Sequence, residues 1–410
     1  MVTYLAPDIY IEEVSGGARP IQAVGTSTVG FVGEAPDARA HVNEAIAINN
    51  WSQFTREFAP ENSRSTPLSH AVFGFFQNGG SRCYVVNVGR GQPISGGGRK
   101  RTGLDVLEQV DEVAIVAAPG YTDAAAYDAI ISHCERLKDR VAILDAPENV
   151  PAISQLTQVA STPARRSSKE EKEEGDGAEG EAPAGGGLRP RQSDGGYGAF
   201  YFPWLVVRDP FAPEEIVNVP PSGHLAGIWA RSDATRGVHK APANEIVRGA
   251  LNLTYHLTRA EQGELNQNGV NCIRFFATEG IRVWGARTIA SGSSEWRYLN
   301  VRRLFCMIEE SIALSTRWIV FEPNHTPLWK AIRRDIGAFL TRLWREGALM
   351  GQSPEEAFFV KCDSETNPPE NIDAGIVTTL IGIAPVKPAE FIVFRISQYS
   401  GGTDVEVQGG

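Results

Sequence analysis

The last ten residues read Gly401-Gly402-Thr403-Asp404-Val405-Glu406-Val407-Gln408-Gly409-Gly410. Residues 403–408 alternate polar and apolar, the pattern of one short strand, and a glycine pair stands on each side. Such a strand has too few side chains to build a core of its own. Its backbone N–H and C=O groups still need partners. The glycines free it from the body of the chain, so it is best placed to add to the sheet of another subunit. The amino end mirrors it, with Asp8-Ile9-Tyr10-Ile11-Glu12-Glu13-Val14 followed by Ser15-Gly16-Gly17. The expected inter-subunit strands are carried by Ile9, Tyr10, Ile11, Glu12 and Val14 at one end and by Asp404, Val405, Glu406 and Val407 at the other. A chain with a lendable strand at each end is suited to being woven into a polymer.

The stretch between the arms reads as a folded body. At 410 residues, 42% hydrophobic and 21% charged, it can bury a sizeable core in two or three domains. Apolar strand patterns fall at 27–33, 82–88, 113–119 and 141–145, with helical patterns at 68–77 and 123–140. That is a βαβ arrangement and implies a parallel sheet. From 161 to 198 the composition changes: Lys169-Glu170-Glu171-Lys172-Glu173-Glu174 leads into a Gly/Ala/Pro/Glu run with few large apolar residues. Such a segment cannot offset its ordering entropy and is expected to be a solvent-facing insertion. A strand is expected at 200–210, ended by Pro210. Asn244 is a plausible N-cap for a helix striped by Ile246, Val247, Ala250, Leu251 and Leu257. One further helix carries Val301, Leu304, Phe305, Ile308 and Ile312. Another starts at Thr326 as N-cap, with Pro327 at the first position. Its apolar face is Trp329, Ile332, Ile336, Phe339, Leu340 and Leu343, and its opposite face holds Lys330, Arg334, Thr341 and Arg345. Strands at 375–384 and 390–397, joined through Pro385 and Pro388, are expected to close the body.

The chemistry of an enzyme is hard to find. A net charge of −10 argues against nucleic acid as a partner, since phosphate binding needs a basic face. No run of 18 apolar residues suggests a membrane span, and the first residues lack the basic and apolar regions of a signal peptide, so synthesis in the cytoplasm is expected. The five cysteines (83, 134, 272, 306, 362) are widely spaced and form no Cys-x-x-Cys pair; they read as buried free thiols. Gly96-Gly97-Gly98-Arg99-Lys100-Arg101-Thr102-Gly103 lacks the Gly-Lys-Ser/Thr order of a phosphate-binding loop and reads as a basic surface loop. No Gly-x-Ser-x-Gly or His-Glu-x-x-His occurs, and the seven histidines form no i, i+4 pair. Asp145 ends a parallel-type strand, where α/β folds place ligands, but a lone Asp there is expected to cap the following turn. Glu309-Glu310 and Glu355-Glu356 point about 100° apart on a helix and read as solvated faces. No catalytic, cofactor-binding or metal-binding residue is expected.

Longer stretches are more specific. They include Ala241-Pro242-Ala243-Asn244-Glu245, Asn271-Cys272-Ile273-Arg274, Gly280-Ile281-Arg282-Val283-Trp284-Gly285-Ala286-Arg287-Thr288 and Trp296-Arg297-Tyr298-Leu299-Asn300-Val301-Arg302-Arg303-Leu304. Further on come Phe321-Glu322-Pro323-Asn324, Leu340-Thr341-Arg342-Leu343-Trp344-Arg345-Glu346-Gly347-Ala348-Leu349 and Pro354-Glu355-Glu356-Ala357-Phe358-Phe359-Val360-Lys361-Cys362-Asp363. With the opening Tyr4-Leu5-Ala6-Pro7-Asp8-Ile9-Tyr10, these resemble the tail sheath family of contractile injection systems. Asp8 departs from that family's opening, where glycine is usual.

The resemblance implies an α+β, tail-sheath-like fold: an arm at 1–20, an outer α/β domain at 21–240, a helix and antiparallel-sheet core domain at 241–400 and an arm at 401–410. It implies six-membered discs stacked helically around an inner tube, with baseplate and terminal cap proteins as further partners and no cofactor. The product would be a phage-tail-like particle made in the cytoplasm and able to be released. The arms would add to a neighbour's sheet, with Phe391, Ile392, Val393, Phe394 and Ile396 expected in the accepting sheet. Lys330, Arg334 and Arg345 would face the tube, the other reading being a solvated helix face. Two other function classes remain open from the residues alone. One is an α/β enzyme, suggested by the βαβ pattern. The other is a monomeric binding module with frayed termini.

Overall fold

The computed structural model describes residues 20–96, 100–160 and 186–393. The first half runs β1 (Val29–Gly33), β2 (Ala45–Ile48), α1 (Trp51–Phe58), α2 (Pro67–Gln77), β3 (Cys83–Asn87), β4 (Ile115–Ala117), α3 (Ala124–Leu137) and β5 (Val141–Asp145). Next come β6 (Gly198–Phe202), β7 (Leu205–Arg208), β8 (Ile216–Val219), α4 (Ser222–Arg236), β9 (Glu245–Ile246), β10 (Asn252–Leu253) and α5 (Arg259–Gln267). The rest comprises β11 (Val270–Phe276), β12 (Gly280–Trp284), α6 (Leu299–Ser315), α7 (Thr326–Arg345), α8 (Pro354–Ala357), β13 (Phe358–Lys361), α9 (Pro369–Asp373) and β14 (Leu380–Ile383).

One sheet of nine strands dominates, in the order β2-β3-β1-β4-β5-β6-β11-β12-β9. Its centre, from β3 to β11, is parallel, and the strands at its two ends are antiparallel. β1 and β5 are buried at every position, as continuous apolar runs covered on both faces should be. Asp123 caps α3 by accepting from the N–H groups of Ala125 and Ala126, both at 3.0 Å. Helices α2 and α4 pack unusually close. A Cβ on Gly223 would lie 2.2 Å from Ala71 Cα, and one on Gly227 would lie 2.4 Å from the Phe75 carbonyl oxygen. Only glycine leaves room for that approach. The sheet draws strands from both sides of residue 240, so it is continuous across the expected boundary.

A second apolar cluster lies under α6 and α7. Leu304, Ile308, Trp329, Ile332, Ile336, Phe339, Leu340 and Leu343 are buried there together with Ile21. The expected apolar face of α7 packs there whole; of the α6 face, Leu304, Ile308 and Ile312 pack there, while half-buried Phe305 lies against Trp296 instead. β13 and β14 form a separate two-stranded antiparallel sheet against this cluster.

Several local expectations are corrected. Asn244 caps no helix: it has φ +58°, its N–H donates to the Val283 carbonyl at 2.8 Å, and the chain continues as edge strand β9. Gly249 at φ +85° then turns it into β10. The helix begins later, where Thr258 and Glu261 form a capping box for α5. The strand expected at 200–210 is two strands in two sheets, β6 and β7, because Pro203 has no N–H to give to a ladder. α7 has His325, not Thr326, at its N-cap. Of 375–384 only β14 is strand, and residues 390–393 are in none.

Candidate assembly interface

The arm residues Ile9, Tyr10, Ile11, Glu12, Val14, Asp404, Val405, Glu406 and Val407 lie outside the described residues, as do Phe394 and Ile396. Their roots are described, and both are pinned to the body. At the amino end, Ile21 is buried in the second core and its carbonyl accepts from Arg342 Nη2 at 3.2 Å. The Gln22 and Val24 N–H groups donate to Ser315 Oγ and Ser311 Oγ at 3.3 and 3.0 Å. Residues 21–24 therefore lie across α6 and α7. Two residues on, Thr26 meets a buried ion pair. Arg303 donates to both Asp233 carboxylate oxygens at 2.9 and 2.6 Å, and to the Thr26 carbonyl at 3.0 Å. The Thr26 hydroxyl donates to Asp233 Oδ2 at 2.5 Å, and the guanidinium lies 4.8 Å from the Trp229 ring centre. This cluster ties α4 and α6 together, and with them the two cores.

At the carboxyl end, Asn300 Nδ2 donates to the Val386 carbonyl at 3.0 Å. Arg287 grips Glu390 through two parallel bonds, at 2.9 and 2.6 Å. Beyond that clamp the chain lifts away: Phe391, Ile392 and Val393 are 75%, 74% and 77% exposed. Of the strand expected at 390–397, residues 390–393 are described and belong to no ladder.

The β13–β14 sheet offers what that segment lacks. Its register sets Phe358 opposite Ile383 and Val360 opposite Ile381; Phe358, Val360 and Ile383 pack against the second core, while Ile381 is exposed. On the outward face Phe359 and Leu380 are 59% and 52% exposed, and the Phe359 ring lies across Gly382. Two strands alone are marginal in water, and among the described residues neither has a second neighbour. Sequence reasoning missed this pair because an apolar strand reads the same whether its partner comes from its own chain or from another.

Lys330, Arg334 and Arg345 are exposed along α7 opposite its buried face. Arg334 Nε donates to Asp335 at 2.9 Å, while Lys330 and Arg345 have no ion partner among the described residues.

The features examined for chemistry have structural employment. Asp145 does not cap the turn that follows it. It accepts from the Ser222 N–H and hydroxyl at 2.8 and 2.7 Å, capping α4, which begins 77 residues later. Burial pushes its carboxyl up to about 7. Asp209 accepts from Ser65 and lies 3.3 Å from His70 Nε2, so the carboxylate stands between serine and imidazole and no base faces the hydroxyl. All five cysteines are buried and free. Among the described residues no group of three or more His, Cys, Asp or Glu could hold a metal, and no helix is long and apolar enough to cross a membrane.

Two family models match the chain in succession: the phage tail sheath protein central domain over residues 101–289 and the phage tail sheath C-terminal domain over 291–398. The chain belongs to the tail sheath family. Among solved structures, this sheath chain is similar to the contracted PVC sheath of an extracellular contractile injection system. Identity is 29%, coverage is 97% of this chain and 99% of that one, and the TM-score is 0.74. It is likewise similar to the contracted helical sheath of the anti-feeding prophage, with 28% identity, 97% and 100% coverage and a TM-score of 0.72. The tail sheath protein of Salmonella phage ViI is 26% identical over 281 residues, covering 66% of this chain and 41% of the phage protein. That of Vibrio phage KVP40 is 29% identical over 189 residues, 45% of this chain and 27% of its own. This chain therefore spans less than half the length of those two phage proteins. The architecture is the mixed helix and sheet fold of contractile sheaths.

Proposed function

We propose that this chain is the contractile sheath subunit of a phage-tail-like injection machine. It polymerises as stacked hexameric discs around an inner tube, is seated on a baseplate and closed by a terminal cap. Contraction drives the tube through a target envelope. The particle is assembled in the cytoplasm and can be released, and the subunit acts by assembly rather than by catalysis. The observation that carries this reading is the β13–β14 sheet, with its open edges and exposed Phe359 and Leu380, on the same body that pins both arm roots. In this reading a neighbour's arms complete that sheet. Residues 390–393, which are in no ladder in the single chain, join one when a neighbour supplies it.

A donated strand of four to six residues makes a few main-chain hydrogen bonds, each worth about 0.5–1.5 kcal/mol net. One arm is a weak link, but two per subunit around every ring form a mesh. The glycine pairs let the mesh persist while rigid bodies rotate, so the contraction energy resides in body–body contacts that differ between two packings. The division into arms (1–20 and 401–410), an outer domain and a core domain follows the same logic. Lys330, Arg334 and Arg345 are assigned to an acidic face of the tube. Charge reversal at Lys330 and Arg334 should uncouple sheath from tube; unchanged co-sedimentation of the variant would sink that assignment.

The test of the whole reading is negative-stain electron microscopy of the full chain co-expressed with its tube, beside a version ending at Ser400. Cylinders from the full chain and none from the truncation are expected. A soluble monomer from both would return the enzyme and binding-module readings to contention.

A further inference from the structure

A small cavity of about 190 Å³ lies where the chain resumes after the insertion and where the carboxy-terminal part begins. Its wall carries three arginines, Arg189, Arg287 and Arg297, and no carboxylate. Arg287 is already engaged, by Glu390 and by the Asn266 carbonyl at 2.8 Å. Arg189 is not. It is only 6% exposed, and it has neither an ion pair nor a side-chain hydrogen bond among the described residues. Its Nε and that of Arg297 are both buried without a partner.

A guanidinium does not shed its proton in a protein, so burial cannot neutralise it. A buried charge without a counter-charge is costly, and so is a buried donor left unpaired. The buried Arg189, with the unpaired Nε of half-buried Arg297 lining the same cavity, calls for an anion. The guanidiniums come from three separate stretches of chain: the segment after the insertion, the loop following β12, and the turn before α6. A tetrahedral oxoanion presents oxygens on several sides and can take donors from all three. A carboxylate presents a single edge. Gln192 and Gln267 also line the cavity and are themselves exposed, so it is open to solute from their side.

We propose that this cavity is a binding site for a phosphate-class oxoanion, held by Arg189 and Arg297 with Arg287 beside it. The bound anion would bridge the end of the insertion to the clamp that holds the root of the carboxy-terminal arm. It would thereby stabilise the protomer from which that arm departs. The site does not depend on the sheath reading, because it is built within one chain.

The test is thermal unfolding and calorimetric titration of the full-length, unassembled chain with inorganic phosphate, against sodium chloride at matched ionic strength. Phosphate should raise the melting temperature saturably where chloride does not. Arg189→Gln and Arg297→Gln should each weaken phosphate binding by about tenfold or more, the effect of losing a charge-assisted bond. Should Arg189→Gln fail to fold, Gln192→Glu at the exposed mouth supplies a second reading. Its built-in carboxylate should occupy the guanidiniums and abolish the phosphate response. A phosphate response equal to that of chloride would overturn the proposal. So would full phosphate binding retained in both Gln192→Glu and a folded Arg189→Gln.

Discussion

Replacing Arg303 by methionine isolates the joint between the two cores. The methionine keeps most of the apolar stem but removes the guanidinium. Asp233 then loses two charge-assisted bonds, and the Thr26 carbonyl loses a third. The two side chains are 3% and 6% exposed, so water cannot replace what is lost. Breaking a buried pair by removing one partner costs about 3–5 kcal/mol, most of it from the charge left unpaired. Arg303→Met should therefore lower the urea unfolding free energy of the unassembled chain by about that amount. Asp233→Leu should do so comparably. The double variant should cost far less than the sum, because it strands no charge. Trp229 is fully buried with its ring 4.8 Å from the guanidinium, so its emission, taken as the difference from a Trp229→Phe background because the chain has eight tryptophans, reports the joint locally. A red shift is expected in each single variant. A loss below about 1 kcal/mol in Arg303→Met, or strictly additive single variants, would refute the view that this pair ties the cores and the amino-terminal root together.

Three further outcomes are expected. His133 is buried, neither ring nitrogen has a hydrogen-bond partner, and burial and the nearby Arg140 and Arg136 hold its pKa down at about 3. The unfolded chain binds that proton near pH 6.5, so this contribution is full above about 6.5 and is lost as pH falls toward 3, at about 1.4 kcal/mol per pH unit. His133→Leu should flatten the acid limb of stability by that slope relative to the parent chain. Comparing the two cancels the opposite contribution of Asp145, and parallel pH profiles would contradict the assignment. Glu390→Gln leaves Arg287 without its counter-charge and should speed proteolytic cleavage near residues 386–393 by roughly tenfold or more. An unchanged cleavage rate would show that the clamp is not what holds the arm root. Gly223→Ala would put a methyl 2.2 Å from the Ala71 backbone, forcing α2 and α4 apart at about 1–3 kcal/mol or more in denaturant melts; a neutral result would mean the helices part freely.

The fold was most legible where a single physical rule acts alone. Continuous apolar runs gave β1 and β5, and the 3-4-3-1-3 apolar spacing from Trp329 to Leu343 gave the buried face of α7. It was least legible where backbone conformation decided. Asn244 looks like a cap by residue type, but it takes a left-handed φ and leads into an edge strand, and no side-chain pattern announces that. The true start of α5 was written in Thr258 and Glu261, whose three-residue spacing is that of a capping box. The candidate site divided in the same way. The basic positions on α7 follow from helical periodicity. The β13–β14 pair and the Arg303–Asp233 joint do not, since each depends on segments that meet only in the folded chain. Segment 390–393 looks like a strand because its side chains suit one, yet it is in no ladder and its Phe391, Ile392 and Val393 are exposed, since side-chain pattern does not say whether a partner strand lies alongside.

The most direct test of strand exchange is an inter-chain cross-link. Cysteine would be placed at Val405 in one tagged subunit and at Leu380 in a second, differently tagged subunit; the five native thiols are buried. The two would be co-assembled with tube protein and oxidised. A disulfide between the two tagged subunits should appear on assembly and be absent from dilute, unassembled chains. Sheath cylinders that form normally with no cross-link at this or neighbouring β14 positions would contradict it.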